Sequence, residues 1–143
     1  MESPNDTGRK ENDCLNMKGI ITVLNTPFDR SGNVDLDAFA RHIEYALAAG
    51  VYGFLSPAMA GEASKLTKEE RLDLTRTLLS TVRGRVPVIG CATHHPCADR
   101  VVLADQLTTM GCDGVMVSIP YTVEKLFLAH VREVAMVQPG FLM

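Results

Sequence analysis

Side chains able to do chemistry recur just past the ends of short apolar runs. They are Thr26, the loop Met59–Glu62, the segment Thr93–His95, and Tyr121. Glu62 and the neighbouring histidines His94 and His95 offer acid/base groups, and Tyr121 offers a phenol for proton relay or for lining a pocket. Together these side chains favour a site that binds a small polar substrate and moves protons on it.

Each of these side chains also has a structural interpretation. A loop carboxylate such as Glu62 commonly accepts backbone N–H bonds, and solvated loop residues are the default interpretation of His94 and His95. Cys97 lies near both histidines, but no third orienting group accompanies a thiol–imidazole pair. Tyr121 is therefore the preferred catalytic candidate, and the roles of His94 and His95 stay open.

Composition excludes several classes of function. The chain has 143 residues, 46% hydrophobic and 22% charged, and a net charge of −3, so no basic excess favours nucleic acid or an anionic membrane surface. No apolar run approaches the roughly 20 residues that a membrane span needs. The four cysteines form no Cys-x-x-Cys pair, which argues against a zinc site. Cys91 and Cys112 lie inside or beside apolar runs, which predicts buried reduced thiols in a cytoplasmic protein. We expect no metal and no cofactor.

The elements that must position these side chains alternate as strand and helix, four times. Apolar, β-branched runs begin near Ile20, Gly53, Val86 and Gly114, and an amphipathic segment follows each run. Strands separated by helices lie parallel and are joined by right-handed crossovers, so the sequence predicts an α/β fold. Residues 1–17 form a polar leader without periodicity, predicted to be disordered.

Four such units fit a small open sheet or half of an eight-stranded barrel. The turn after the first run, Asn25–Gly32, lacks the glycine pattern that binds dinucleotides. The candidate residues instead follow strand ends, where barrels build their active sites. Because Phe141–Met143 resembles the start of a fifth strand, we expect residues 18–143 to be the first four βα units of a TIM barrel, truncated near strand 5.

Motifs in this order and spacing give the chain a family resemblance. Three segments carry it. The first segment contains Thr-Pro-Phe followed by an acidic turn, and the second contains Gly-Glu, then Leu-Thr and the acidic start of a helix. The third segment contains two predicted strands, the later of which ends in Pro-Tyr. The segments are Gly19–Asp35, Gly53–Glu62 with Ser64–Arg71, and Arg85–Gly90 with Gly111–Tyr121. In these segments the chain resembles the dihydrodipicolinate synthase and N-acetylneuraminate lyase family.

The resemblance implies an aldolase-type lyase that binds pyruvate or another 2-keto acid as a Schiff base on a lysine and makes or breaks a carbon–carbon bond. It implies substrate-binding roles for Met59, Ala60, Gly61, Glu62 and Thr122, and a catalytic role for Tyr121. The family often has threonines where this chain has Met59 and Ala60, and a second tyrosine at Thr122, so the specific synthase activity does not follow.

The resemblance places the reactive lysine on a sixth strand, a position this chain does not contain, so we expect these 143 residues alone to be inactive. It also implies a homo-oligomer. The alternative is a non-catalytic half-barrel that associates with itself or with a partner chain, because four parallel strands leave two open edges and an apolar inner face.

Overall fold

The computed structural model describes residues 18–93 and 97–143. The predicted disordered leader and the histidines His94 and His95 lie outside these residues. In the described part, four strands alternate with four α-helices, as the sequence predicts. The elements are β1 (Ile21–Val23), α1 (Leu36–Ala48), β2 (Gly53–Ser56), α2 (Lys68–Val82), β3 (Val88–Cys91), α3 (Cys97–Met110), β4 (Gly114–Met116) and α4 (Glu124–Ala135).

The four strands form one parallel sheet in the order β1-β2-β3-β4. Ile21 pairs with Gly53, Phe54 with Val88, and Ile89 with Gly114. The predicted α/β class with consecutive parallel strands is therefore confirmed. Each strand is shorter than the apolar run that predicted it, although flanking residues still bond between strands, as in the bond from the amide of Phe54 to the carbonyl of Pro87 at 2.9 Å.

Local sequence sets the beginnings of the first two helices. Asp35 caps α1, since its side chain accepts a hydrogen bond from the amide of Ala38 at 2.8 Å. Thr67 and Glu70 form the predicted capping box of α2, in which each side chain accepts a bond from the other residue's backbone amide. Gly50 and Gly111 follow α1 and α3 with φ values of 81° and 102°, a conformation that glycine adopts without strain.

Alternation along the strands divides the core into two layers. Phe54, Val88 and Val115 face the helices and pack in the larger cluster with side chains such as Phe39 and Leu78. The opposite, concave face of the sheet carries a smaller apolar cluster of Leu55, Ala58, Ile89 and Cys91, with Ile21, Val23, Met116 and Phe141 packed against it. The polar residues that follow the strands therefore stand above an apolar floor.

The last helix departs from the sequence-based prediction. Its predicted inner stripe was Leu126, Phe127, His130, Val131 and Val134, but only Val134 is fully buried, and Leu126 is 47% exposed. In the described part, α4 packs on α3 along one flank, and no helix covers its other flank. Helical spacing indicates which side chains share a face, but not whether a neighbour covers that face.

The segment Phe141–Met143 continues the parallel order beyond β4, as predicted for the start of a fifth strand. Leu142 forms a parallel bridge with Val115, and the amide of Val115 donates to the carbonyl of Phe141 at 2.9 Å. The Phe141 ring lies directly against Gly114, where a Cβ atom would clash with it.

None of the described helices is long and apolar enough to cross a bilayer.

Stability is predicted to fall at alkaline pH because of Cys112. Burial, with a smaller effect of the Asp113 charge, raises the pKa of this thiol from 9.0 to about 12. The unfolded thiol ionises above pH 9 while the folded thiol stays neutral, so this contribution is complete below pH 9 and is lost up to pH 12, at about 1.4 kcal/mol per pH unit or less. Urea unfolding at pH 8 and pH 10 should show a smaller loss for Cys112→Ala than for the wild-type chain. Equal losses in the two proteins would contradict the assignment.

Candidate functional site

The polar residues named from the sequence gather at the carboxyl edge of the sheet, since all four strands run in the same direction. Thr26 follows β1, the loop at Met59 follows β2, Thr93 follows β3, and Tyr121 follows β4. This edge is where parallel α/β folds place their ligands. The structure therefore brings these candidate residues to one rim, above the apolar floor.

A short 3₁₀ turn, Met59–Gly61, forms the part of the rim after β2. The amide of Gly61 donates to the carbonyl of Ala58 at 2.9 Å, and that of Glu62 donates to Met59 at 3.0 Å. The amides of Met59 and Ala60 head the turn and so have no acceptor within it. The Met59 side chain is 93% exposed, which leaves the backbone amides as the chemically useful groups of this turn.

Two contacts hold the turn against the end of β1. The Thr26 hydroxyl donates to the carbonyl of Gly61 at 2.6 Å. Gly61 is buried, and a Cβ atom at this position would lie 2.7 Å from the carbonyl oxygen of Leu24. Only glycine permits this close approach of the two backbones. Sequence reasoning placed Thr26 at the rim, but it did not predict this hydrogen bond, which joins residues far apart in the chain.

Glu62 has its carboxylate at the surface. Its backbone is left-handed, with φ of 58°, and its Oε2 lies 3.0 Å from Lys65 Nζ. The two side chains are 48% and 75% exposed, so the ion pair is solvated and contributes little to stability.

Tyr121 and Thr122 lie beyond β4 and are both exposed, Tyr121 by 69%. The Tyr121 ring packs against Phe127 of α4, with 5.5 Å between ring centroids and 57° between the planes. Such a tilted aromatic pair fixes the ring and leaves the hydroxyl free to contact solvent or a ligand.

One contact at the rim joins the ends of β3 and β4. The amide of Ser118 donates to the Thr93 hydroxyl at 3.0 Å. Sequence reasoning named Thr93 as a rim residue but did not pair it with Ser118. The alternation of side chains along the strands could have predicted this pairing. It places Thr93 on the same face as Ile89 and Cys91 of β3, and Ser118 on the same face as Met116 of β4. Within the described residues, no group of three or more His, Cys, Asp or Glu side chains forms a metal site.

Comparison with known proteins identifies the family of the chain. The sequence model of the dihydrodipicolinate synthetase family matches residues 16–137. The chain belongs to this family. The fold is accordingly the first half of a TIM barrel, its first four βα units.

Individual relatives agree with the family assignment. The chain is 36% identical to a 4-hydroxy-tetrahydrodipicolinate synthase of Phenylobacterium zucineum over 104 residues, which are 73% of this chain and 35% of the relative. A second such enzyme, of Halalkalibacterium halodurans, is 36% identical over 71% of this chain and 35% of its own length. The crystal structure of a dihydrodipicolinate synthase of Bacillus anthracis matches with a TM-score of 0.81 at 29% identity, over 87% of this chain and 44% of that one. The chain thus spans about a third of the curated relatives it matches.

The hydrogen bond from Thr26 to Gly61 gives a prediction about the turn. Thr26→Val removes the hydroxyl and keeps the side-chain shape, so the Gly61 carbonyl loses its donor, at a cost of about 1 kcal/mol. Urea unfolding should show this loss, and amide hydrogen exchange should accelerate at Gly61 and Glu62. Thr26→Ser is the matched control and should behave as the wild type. Unchanged exchange in Thr26→Val would show that the hydroxyl does not hold the turn.

Proposed function

We propose that these residues form one wall of the substrate pocket of an aldolase-type lyase that acts on pyruvate or another short 2-keto acid. The observation that carries the proposal is the turn at Met59–Gly61, held by the Thr26 hydroxyl, whose first two amides have no acceptor within the turn and lie at the carboxyl rim of a barrel half. Membership of the dihydrodipicolinate synthetase family supports the same reaction class.

The turn suits a carboxylate. The amides of Met59 and Ala60 can donate together to one anionic group, as amides at the start of a helical turn commonly do. Charge-assisted bonds from backbone amides are stronger than neutral ones. Gly61 keeps the turn close to β1, so the amides are oriented before the substrate arrives and little entropy is lost on binding.

Tyr121, Thr122 and Glu62 complete this wall in the proposal. Tyr121 supplies a phenol that can pass a proton to or from the substrate, and Thr122 offers a hydroxyl beside it. Glu62 contacts the distal part of a substrate or orients the loop. Met59 and Ala60 carry no side-chain hydroxyl, so the turn cannot relay a proton through its side chains. In the proposal it contributes only backbone hydrogen-bond donors.

In this proposal the reactive amine comes from outside these residues. In the described part, Lys18, Lys65, Lys68 and Lys125 lie in a leading segment, a 3₁₀ turn and two helices, and none lies on a strand facing the floor. In the proposed reaction, a lysine amine adds to the keto carbon and expels its oxygen as water. In the direction of cleavage, the protonated imine accepts the electron pair of the carbon–carbon bond, while a hydroxyl on the departing carbon loses its proton and that fragment leaves as an aldehyde. The enamine left on the lysine then gains a proton at carbon, and hydrolysis of the imine restores the amine and releases the keto acid.

A second candidate function, association of half-barrels, is favoured by the open edges of the sheet. β1 pairs only with β2 among the described strands, and the neighbouring Ile20 is 71% exposed. Parallel edges of two copies could extend each other's sheets, consistent with the expected homo-oligomer.

The free, buried thiols of Cys91 and Cys112 are consistent with the proposed cytoplasmic location.

Borohydride trapping tests the proposed reaction. The 143-residue chain, incubated with pyruvate and sodium borohydride, should show no covalent adduct by mass spectrometry. A family member extended through a sixth strand with a lysine should show one reduced adduct on that lysine. An adduct on the 143-residue chain would show that one of its own lysines reacts, and would overturn the assignment of the amine to residues outside it.

Size-exclusion chromatography with light scattering tests the association of half-barrels. Ile20→Lys places a charge beside the β1 edge and should shift the chain towards the monomer, since charged side chains oppose edge pairing. Tyr45→Lys is the matched control, because it introduces the same charge at a residue that is 81% exposed on a helix rather than beside a strand. A wild-type chain that is monomeric at all concentrations would exclude this function.

A further inference from the structure

We infer that the two edges and the concave face of the sheet form one docking surface for a separate polypeptide, the C-terminal half of a barrel of the same family. The inference rests on the proposed function, because this partner would supply the reactive amine, and it names a partner for the proposed association of half-barrels. The docking surface consists of the free edge of β1, the free edge of Phe141–Met143, and the apolar floor between them.

The outer edge of Phe141–Met143 offers backbone groups to a further parallel strand. The carbonyl of Phe141 and the amide of Met143 both bond to Val115, at 2.9 Å each. Since successive residues of a strand direct their amide and carbonyl groups to opposite sides, those of Leu142 point away from β4. Among the described residues neither group of Leu142 has a hydrogen-bond partner, so this edge can accept a sixth strand.

The packing of Phe141 sets the position of this edge. Its ring lies against Gly114, which has no side chain, and it belongs to the apolar floor together with Ile89 and Met116. Leu142 packs on the opposite face, in the cluster that faces the helices. The segment therefore already follows the alternation of the sheet, and a partner strand meets an edge whose register is set before binding.

The edge of β1 is open in the same way. The carbonyl of Ile20 accepts a bond from the amide of Tyr52 at 2.8 Å, and β1 pairs only with β2 among the described strands. The same alternation directs the backbone groups of Ile21 and Val23 away from β2. A partner whose parallel strands begin beside Leu142 and end beside β1 would close the sheet into a ring and remove both open edges.

The number of strands favours the second half of a family barrel over a second copy of this chain. Side chains just fill the interior of an eight-stranded barrel. The described residues supply four strands and the start of a fifth, whereas a second copy would add four strands and another fifth start, which exceeds eight. The match to the solved Bacillus anthracis synthase covers 44% of that chain, so a part longer than the matched one remains for the missing units.

The last helix has room for a helix of this partner. Leu126 and Leu128 of α4 are 47% and 40% exposed, and α3 is the described helix that packs against α4. Each helix of a complete barrel has a helix on both sides in the outer ring. A partner that continues the fifth strand into a helix would therefore cover the exposed flank of α4.

A chimera with a cleavable junction tests the docking surface. The 143-residue chain is joined, through a flexible linker with a protease site, to the residues of the Bacillus anthracis synthase that follow the part superposed on this chain. After cleavage, we expect the two polypeptides to leave a size-exclusion column together, with a light-scattering mass that corresponds to equal numbers of each. An insoluble chimera, or separation of the two polypeptides after cleavage, would overturn the inference.

Two substitutions at Leu142 isolate the edge contact. Leu142→Pro and Leu142→Ala both remove the leucine side chain, but only proline also removes the outward amide, which bonds to no residue of β4. We expect the cleaved complex to be about 5- to 10-fold weaker with Leu142→Pro than with Leu142→Ala, as the loss of one hydrogen bond implies. Urea unfolding of the two variant chains alone should agree. Equal dissociation constants would show that no partner strand bonds to this edge.

Borohydride reduction in the presence of pyruvate separates this inference from the proposed function. In the cleaved complex we expect the reduced adduct on the synthase part and not on the 143-residue chain. A stable complex without any adduct would contradict the proposed reaction and leave the docking surface standing. Separation of the two polypeptides would overturn the docking surface alone.

Discussion

The side-to-side alternation of residues along four short parallel strands is the constraint on which the rest of this structure depends. Each strand offers one or two side chains to the helices and one or two to the concave face. A shift of one residue in any strand would exchange these sets and place Phe54 or Val88 where the apolar floor now lies. The same alternation, continued past the strand ends, decides which polar residues face the rim.

The rim is held together by backbone groups and short side chains that bond across neighbouring elements. The Thr26 hydroxyl ties the end of β1 to the turn after β2, and the Thr93 hydroxyl ties the end of β3 to that of β4. In both pairs a threonine bonds a backbone group more than twenty residues away in the chain. Small polar side chains lose little rotamer entropy, so this arrangement fixes donors at low cost.

Much of the fold could be predicted from the sequence because its signals are local. The cap at Asp35, the capping box of Thr67 and Glu70, and the apolar runs each depend on residues within one turn or one strand. The exposure of α4 could not be predicted in this way, since the burial of Leu126 depends on a neighbouring element and not on its own spacing. At the site, the positions of the strand ends in the sequence predicted which residues lie at the rim. The hydrogen bonds of Thr26 and Thr93 could not be predicted, because they depend on the register between strands.

The shortness of the strands has a consequence for the chain during synthesis. β1 has only three residues, so its free side exposes few unsatisfied amides and carbonyls, even with Ile20 beside it. While a chain is being synthesised, so short an edge offers less template for uncontrolled cross-β pairing than a longer flat edge would.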